Sequence, residues 1–171
     1  MPRQPEVTIR QIERGDEPAF VQAARRSRRL HGRWVTAPTD GPAFVRYLAR
    51  FELPASVGFV VLAPGGELAG AVNLTNVVHG NFRSGYLGYF AFAGHERRGM
   101  MRSALLAVIR HAFGPLRLHR VEANIQPGNT ASIALARACG LQREGFSPAY
   151  LKVGGRWRDH ERWALVRPAR S

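Results

Sequence analysis

The stretch Ser84-Gly-Tyr-Leu-Gly-Tyr-Phe-Ala-Phe92, Ala93-Gly-His-Glu-Arg-Arg-Gly99, Met100-Met-Arg-Ser-Ala-Leu-Leu-Ala-Val-Ile-Arg-His-Ala-Phe113 decides the fold. Its first part is dense in aromatic and apolar residues, with Tyr86, Tyr89, Phe90 and Phe92, and reads as a strand. A glycine-bearing loop follows, Gly94 to Gly99. Beyond it Met101, Leu105, Val108 and Ile109, with Ala112 and Phe113 one turn on, recur at helical spacing. A strand feeding a helix through a glycine loop is an arrangement that binds phosphate. The first helical turn leaves backbone N–H groups unpaired, and the helix dipole favours an anion there. Gly99 permits close backbone approach, and Arg97, Arg98 and Arg102 bring three positive charges. The plain alternative is an ordinary solvated helix start, because the loop has neither the lysine and spacing of a P-loop nor a dinucleotide G-x-G-x-x-G.

Upstream, Val7 to Ile12 alternates as a first strand, and Asp16 is placed to cap a helix through Phe20, Val21 and Ala24. The charge-dense run from Arg25 to Trp34 leads to a turn at Pro38 to Pro42. Asp40 then caps a short helix with apolar positions Phe44, Val45, Leu48 and Phe51. Val57 to Leu62 and Leu68 to Val78 flank Pro64-Gly-Gly66 as a hairpin. Downstream, Val121 to Ile125 is a strand broken by Pro127-Gly128. A helix begins at Asn129 and stops at Gly140, and Tyr150 to Val153 and Trp157 to Val166 form a hairpin across Gly154-Gly155. The order predicts an α/β (α+β) fold over residues 1–171: one domain with a central mixed, mainly antiparallel sheet flanked by helices.

A chain of 171 residues and 19.0 kDa with 45% apolar residues suits one core. The charge is +13, and Lys152 is the only lysine, so arginine supplies the other 24 of 25 cationic side chains. That skew fits a GC-rich genome as well as an acidic or nucleic-acid partner, and the arginines are spread along the chain. A single cysteine, Cys139, excludes an internal disulfide and any multi-cysteine metal centre, and it reads as small core filler. The six histidines show no paired metal spacing, so no metal is implied. No stretch approaches a membrane span, and Met1-Pro-Arg-Gln-Pro-Glu6 has no apolar signal core, so the expected location is the cytoplasm.

Four blocks in order, Gly85-Tyr-Leu-Gly-Tyr89, Arg98-Gly-Met-Met-Arg-Ser-Ala-Leu105, Leu118-His-Arg-Val-Glu-Ala-Asn124 and Pro127-Gly-Asn-Thr-Ala-Ser132, resemble the GNAT acetyltransferases. Thr75-Asn-Val-Val78, Glu144-Gly145, Tyr150-Leu-Lys152, Gly155-Arg-Trp-Arg-Asp-His160 and Ala164-Leu165 look most like the RimJ and RimL branch, which acetylates ribosomal-protein N-termini. The similarity is continuous from Val72 to Leu165 and looser over Leu30 to Leu48. It implies a GNAT fold with acetyl-CoA as cosubstrate, held between the strand ending Phe90-Ala-Phe92 and the strand carrying Asn124. The pyrophosphate would lie on Arg97, Arg98, Gly99, Met100, Met101 and Arg102. The family's phosphate pattern, Gln/Arg-x-x-Gly-x-Gly/Ala, falls on Glu96, Gly99 and Met101, so two of its three positions depart. Asn129 matches the family asparagine, both a cofactor contact and a helix cap.

Acetyl transfer needs a neutral amine, a polarised carbonyl and a proton for the leaving thiolate. The tyrosine that many relatives use for that proton falls on Ala136, and the acid proposed as base in the branch falls on Ala149. Ser132 matches a branch serine able to donate to the thiolate and also contacts cofactor. The competing reading is a helix-surface serine. Tyr150 is a second proton carrier, with Glu122 or a water chain as base candidates. A site without a strong base suits an α-amine, with pKa near 7.7–8.0, better than a lysine near 10.4. His31 and Trp34 match a Leu-His-x-x-Trp pattern at the branch's acceptor mouth, with Asn76 and Tyr86 as further groove candidates; the alternative for Trp34 is core. The expected function is acetyl-CoA-dependent acetylation of a protein or peptide N-terminus, ribosomal proteins among the acceptors, by a monomer or homodimer. The alternatives are a small-molecule amine acetyltransferase acting on an amino acid or antibiotic, and a non-catalytic module that binds acetyl-CoA or RNA.

Overall fold

Alternating apolar segments and glycine turns build one sheet, and two amphipathic layers cover its faces. The computed structural model describes residues 5–169. Its elements are β1 (Thr8–Gln11), α1 (Glu17–Arg26), α2 (Arg28–His31), α3 (Gly41–Leu48), β2 (Val57–Leu62), β3 (Leu68–Val78), β4 (Ser84–Ala91), α4 (Met100–Phe113), β5 (Arg120–Ile125), α5 (Thr130–Ala138), β6 (Gln142–Val153) and β7 (Arg156–Val166). The strand order is β1-β2-β3-β4-β5-β7-β6. Every pair is antiparallel except β4 with β5, whose parallel pairing requires the α4 crossover.

The expected helix Met100 to Phe113 is α4, and its stripe Ala104, Leu105, Val108 and Ala112 is fully buried against Val61, Val72, Leu74, Leu87 and Val121. Close approach of α4 to the sheet depends on Gly70, where a Cβ would lie 2.4 Å from Met101 Sδ and 2.6 Å from Phe90 O. The other face is closed by α1 and α3, with Phe20 edge-on to Phe44 and Phe92 (5.4 and 5.1 Å between ring centroids) over Val60 and Ala71.

Several expectations need correction. Asp16 precedes α1 but makes no side-chain cap. Arg10 takes its carboxylate with bonds of 2.9 and 2.7 Å, and Glu13 N donates a third of 2.9 Å. Burial raises the Asp16 pKa, and those bonds more than offset it, leaving the group below its usual value. Asp40 does cap α3, accepting from Ala43 N at 2.8 Å, but α3 ends at Leu48, short of Phe51. The charge-dense run contains the short α2. The closing hairpin is much longer than expected, because β6 starts at Gln142. That half of β6 is a mostly exposed edge strand with Gly145, Pro148 and two register irregularities, so it lacks the apolar alternation that marks a strand.

Long-range bonds tie α1 and α2 to the end of β4. Ser27 Oγ accepts from Ala93 N (2.8 Å) and donates to Ala23 O (2.7 Å), while His31 Nε2 donates to Ala91 O (2.8 Å). The α2 segment is thereby clamped beside the glycine loop. No helix among the described residues is long and apolar enough to cross a membrane.

Candidate active site

The parallel pairing of β4 with β5 covers Ser84–Arg120, Gly85–Val121 and Tyr86–Glu122, and there it stops. Beyond it β4 bonds only to β3, and β5 only to β7, so the two strands part and leave facing backbone groups without a ladder partner. A cleft of about 660 Å³ opens at this parting, between the end of β4, the glycine loop, the start of α4, the first turn of α5 and the α2 segment.

Gly99 sits at φ +76°, a left-handed conformation that glycine adopts freely. The first intrahelical bond of α4 is from Ser103 N to Gly99 O (3.1 Å), so the N–H groups of Met100, Met101 and Arg102 precede it. Arg97 and Arg98 are exposed beside them; Arg102 Nε donates to Ala138 O at the end of α5 (3.3 Å). Glu96 also lines the cleft beside this helix start. Its carboxylate folds back onto the loop, where its own N–H and that of Gly94 (2.6 Å) hold its pKa below the usual value. Asn129 Oδ1 caps α5 by accepting from Ser132 N (3.3 Å).

Of the anticipated cofactor residues, Phe90, Ala91, Arg97, Arg98, Gly99, Met100, Met101, Arg102, Asn129 and Ser132 all line this one cleft, and so do His31 and Trp34. Phe92 does not. Its ring is buried against Phe20, and its N–H is taken by Ala69 O at 2.8 Å. Asn124 lies on the stretch of β5 that pairs with β7 but has parted from β4, and its buried Oδ1 has no partner among the described residues. The buried His95 Nδ1 on the glycine loop is likewise unpartnered. Such orphaned polar atoms beside a helix start and two unladdered strand edges suit a long ligand rich in amide and phosphate groups. Asn76, expected in the acceptor groove, is an exposed residue at φ +49° where the β3–β4 register slips, a conformation asparagine tolerates better than most residues.

The anticipated proton carriers fall in two places. Ser132 Oγ donates to Tyr89 Oη (3.1 Å), and Tyr89 Oη donates to Ser132 O (3.2 Å); both residues line the cleft. Burial pushes the Tyr89 phenol up to about 12, so it stays protonated near neutrality. Glu122, Tyr86 and Tyr150 lie together at the last paired step of β4 and β5. Burial first, then the neighbouring Glu122 and Tyr150, push the Tyr86 phenol up to about 12. Glu122 is bonded to Arg120, which also grips Glu144 of β6. Its carboxylate is therefore engaged, which weakens it as a base candidate.

Two residues escaped the sequence reading. Tyr89 reads from the sequence as a strand residue closing the first family block, and nothing local announces that its hydroxyl meets a helix 43 residues on. His160 reads from the sequence as one of six histidines without metal spacing, at the end of a closing family block. It is buried, its Nδ1 donates to Arg158 O (2.8 Å), and its ring lies 6.3 Å from that of Tyr150. The alternation of β7 would have placed it on the face of Arg162 and Ala164.

The parted parallel pair, the basic glycine loop and the capped α5 form one site, and the family match identifies it as that of an acyl-CoA-dependent transferase. The chain belongs to the GNAT family, whose acetyltransferase (GNAT) domain profile matches residues 6–142. It is an N-acetyltransferase that uses acetyl-CoA. It is 32% identical over 136 residues to the probable N-acetyltransferase YjcK of Bacillus subtilis, covering 79% of this chain and 75% of that one. It is 39% identical over 102 residues to the ribosomal protein uS5-alanine N-acetyltransferase of Escherichia coli, covering 60% of this chain but only 53%, about half, of that enzyme. Among solved structures, RimJ of Mycobacterium smegmatis with CoA-disulfide superposes with a TM-score of 0.86 at 26% identity, covering 94% of this chain and 81% of that one. Spermidine N-acetyltransferase of Vibrio cholerae with CoA and spermine gives 0.78 at 23% identity, covering 94% and 95%, a likeness of fold.

Proposed function

We propose that this enzyme acetylates the α-amine of a protein or peptide N-terminus, with ribosomal proteins as the natural acceptors. In this reading acetyl-CoA lies along the 660 Å³ cleft. Its diphosphate sits on the N–H groups from Arg97 to Met101, with Arg97 and Arg98 neutralising charge, and its pantetheine lies against the parted edges of β4 and β5. Asn129 keeps α5 started at the cleft wall, and Asn124 Oδ1 accepts from an amide or amine N–H. Ser132 faces the leaving sulfur; as thiolate charge develops, its proton turns from Tyr89 Oη to the sulfur, and the Tyr89 proton swings from Ser132 O to Ser132 Oγ in its place. Tyr150, with His160 behind it, serves the amine side, and His31, Trp34 and Tyr86 shape the acceptor's approach.

The observation that carries the α-amine reading is the scarcity of free carboxylates. Glu122 and Glu144 are held by Arg120, Asp159 accepts from Ala149 N (2.8 Å), and Glu161 accepts from Trp163 Nε1 (2.9 Å) with Arg143 nearby. A polyamine needs several free carboxylates and meets arginines here instead. An α-amine is substantially neutral near pH 8 and needs no strong base, whereas a lysine does. The test is mass spectrometry of short peptides incubated with acetyl-CoA. Free N-termini should be acetylated with a rate that rises with the amine's titration and levels off above roughly pH 8. Faster acetylation of lysine in N-terminally blocked peptides, or of spermidine, would overturn the assignment.

A further inference from the structure

A second cleft, of about 280 Å³, opens on the other side of Trp34. Its walls come from three distant segments: Arg33 and Trp34 after α2, Gln126 to Gly128 after β5, and Trp157 to Asp159 at the start of β7. Trp34 belongs to both clefts, so one indole separates this space from the one assigned to acetyl-CoA. A partition that thin is spanned by about two or three extended residues at roughly 3.3–3.6 Å each.

The cleft is built rather than incidental. The Arg33 guanidinium lies 4.4 Å above the Trp34 ring, and Gln126 Nε2 donates to the backbone Arg33 O (3.4 Å), so the segment that carries this cation is tied to the end of β5. Gly128 allows the packing, since a Cβ there would come 3.0 Å from Trp34 and 3.4 Å from Arg33 Nη2. Arg158 Nε is buried without a hydrogen-bond partner among the described residues. A buried guanidinium N–H without an acceptor is an unmet demand. Asp159 is the one carboxylate in the wall, and one of its oxygens already accepts from Ala149 N. Two guanidinia against one engaged carboxylate leave the cleft positive, and Trp157, 64% exposed, supplies an apolar flank.

We infer that this cleft is a subsite for a carboxylate side chain carried a few residues behind the acetylated amine, so that the enzyme selects acidic N-terminal segments. This rests on the α-amine reading above. A planar guanidinium fork matches a carboxylate in two hydrogen bonds, and Arg158 Nε is the donor that lacks an acceptor. An ammonium in the same place would face two cations.

The test uses hexapeptides with a free N-terminal alanine and Glu, Gln or Lys at positions two to four. In wild type, kcat/KM for the Glu peptides should exceed that for the Gln peptides by roughly fivefold to fiftyfold, with the Lys peptides lowest, and the preference should shrink as salt rises. Arg158→Gln should remove the preference while leaving acetylation of the Gln peptides and acetyl-CoA affinity unchanged. Arg158→Glu should reverse it toward Lys peptides, a gain that misfolding cannot mimic. Binding of the same peptides, followed by tryptophan fluorescence with CoA present, separates the two claims. Charge-selective binding without N-terminal acetylation supports the subsite and sinks the α-amine reading. Acetylation with no dependence on charge keeps that reading and overturns the subsite.

Discussion

Replacing Tyr89 by phenylalanine removes one oxygen and leaves the ring. In the structure that oxygen accepts from Ser132 Oγ (3.1 Å) and donates to Ser132 O (3.2 Å), so it positions the hydroxyl and can return its own proton to Ser132 Oγ when the serine turns to the leaving thiolate. Ser132→Ala deletes the donor itself. A thiol with pKa near 8.5 leaves readily, so kcat should fall about tenfold to a hundredfold, or roughly 1.4–2.7 kcal/mol of transition-state stabilisation. Tyr89→Phe leaves the serine free among three rotamers, a dilution of about threefold, and weakens it as a donor, so kcat should fall roughly threefold to tenfold. Thermal stability should drop modestly, since about 1 kcal/mol of hydrogen bonding is lost. The double variant is decisive. If Tyr89 acts through Ser132, Tyr89→Phe in the Ser132→Ala background changes nothing further, and the coupling equals the whole Tyr89 effect. Steady-state thiol release at saturating peptide measures kcat, and calorimetry should show acetyl-CoA affinity within twofold of wild type for all three variants. Multiplicative losses would make Tyr89 an independent contributor, and a fall in affinity alone would recast Ser132 as a cofactor contact.

Gly99→Pro forces φ from +76° to about −65° and removes an N–H at the glycine loop, so acetyl-CoA affinity measured by calorimetry should weaken at least tenfold; unchanged affinity would put the diphosphate elsewhere. His31 is held below its ordinary pKa of 6.5 by burial, which outweighs its bond to Ala91 O. The unfolded chain therefore takes up that proton first, so stability is full above about pH 6.5 and declines as the solution is acidified below it. In urea titrations His31→Gln should flatten that decline between about pH 7 and 5, and an equal slope in both proteins would refute it. Phe20 is fully buried against Phe44, Tyr47, Phe90 and Phe92, so Phe20→Ala should cost about 3–5 kcal/mol in urea unfolding and loosen acetyl-CoA binding through Phe90; a loss under 1 kcal/mol would show that this layer does not hold the cleft wall.

What the chain alone determines is whatever has a local cause. The stripe of α4 follows from residues three and four apart, and the start of α5 from the Asn129 side chain reaching the N–H of Ser132. The hairpins follow from glycines that permit left-handed turns, and four motifs in order were enough to mark the family. Tertiary structure decided the rest, because its causes lie between segments. That β4 and β5 part after Tyr86 and Glu122 is a relation between two strands far apart in the chain, each of which keeps its other neighbour beyond that point. The clamp of His31 on Ala91 spans 60 residues, and the meeting of Tyr89 with Ser132 spans 43. The glutamate that looked available as a base is bonded to an arginine two residues away, whose other hand holds β6. The composition gave the number of arginines, but only packing left Arg158 Nε buried without an acceptor beside Trp34, and a charge directs chemistry by where it is desolvated rather than by how often it occurs.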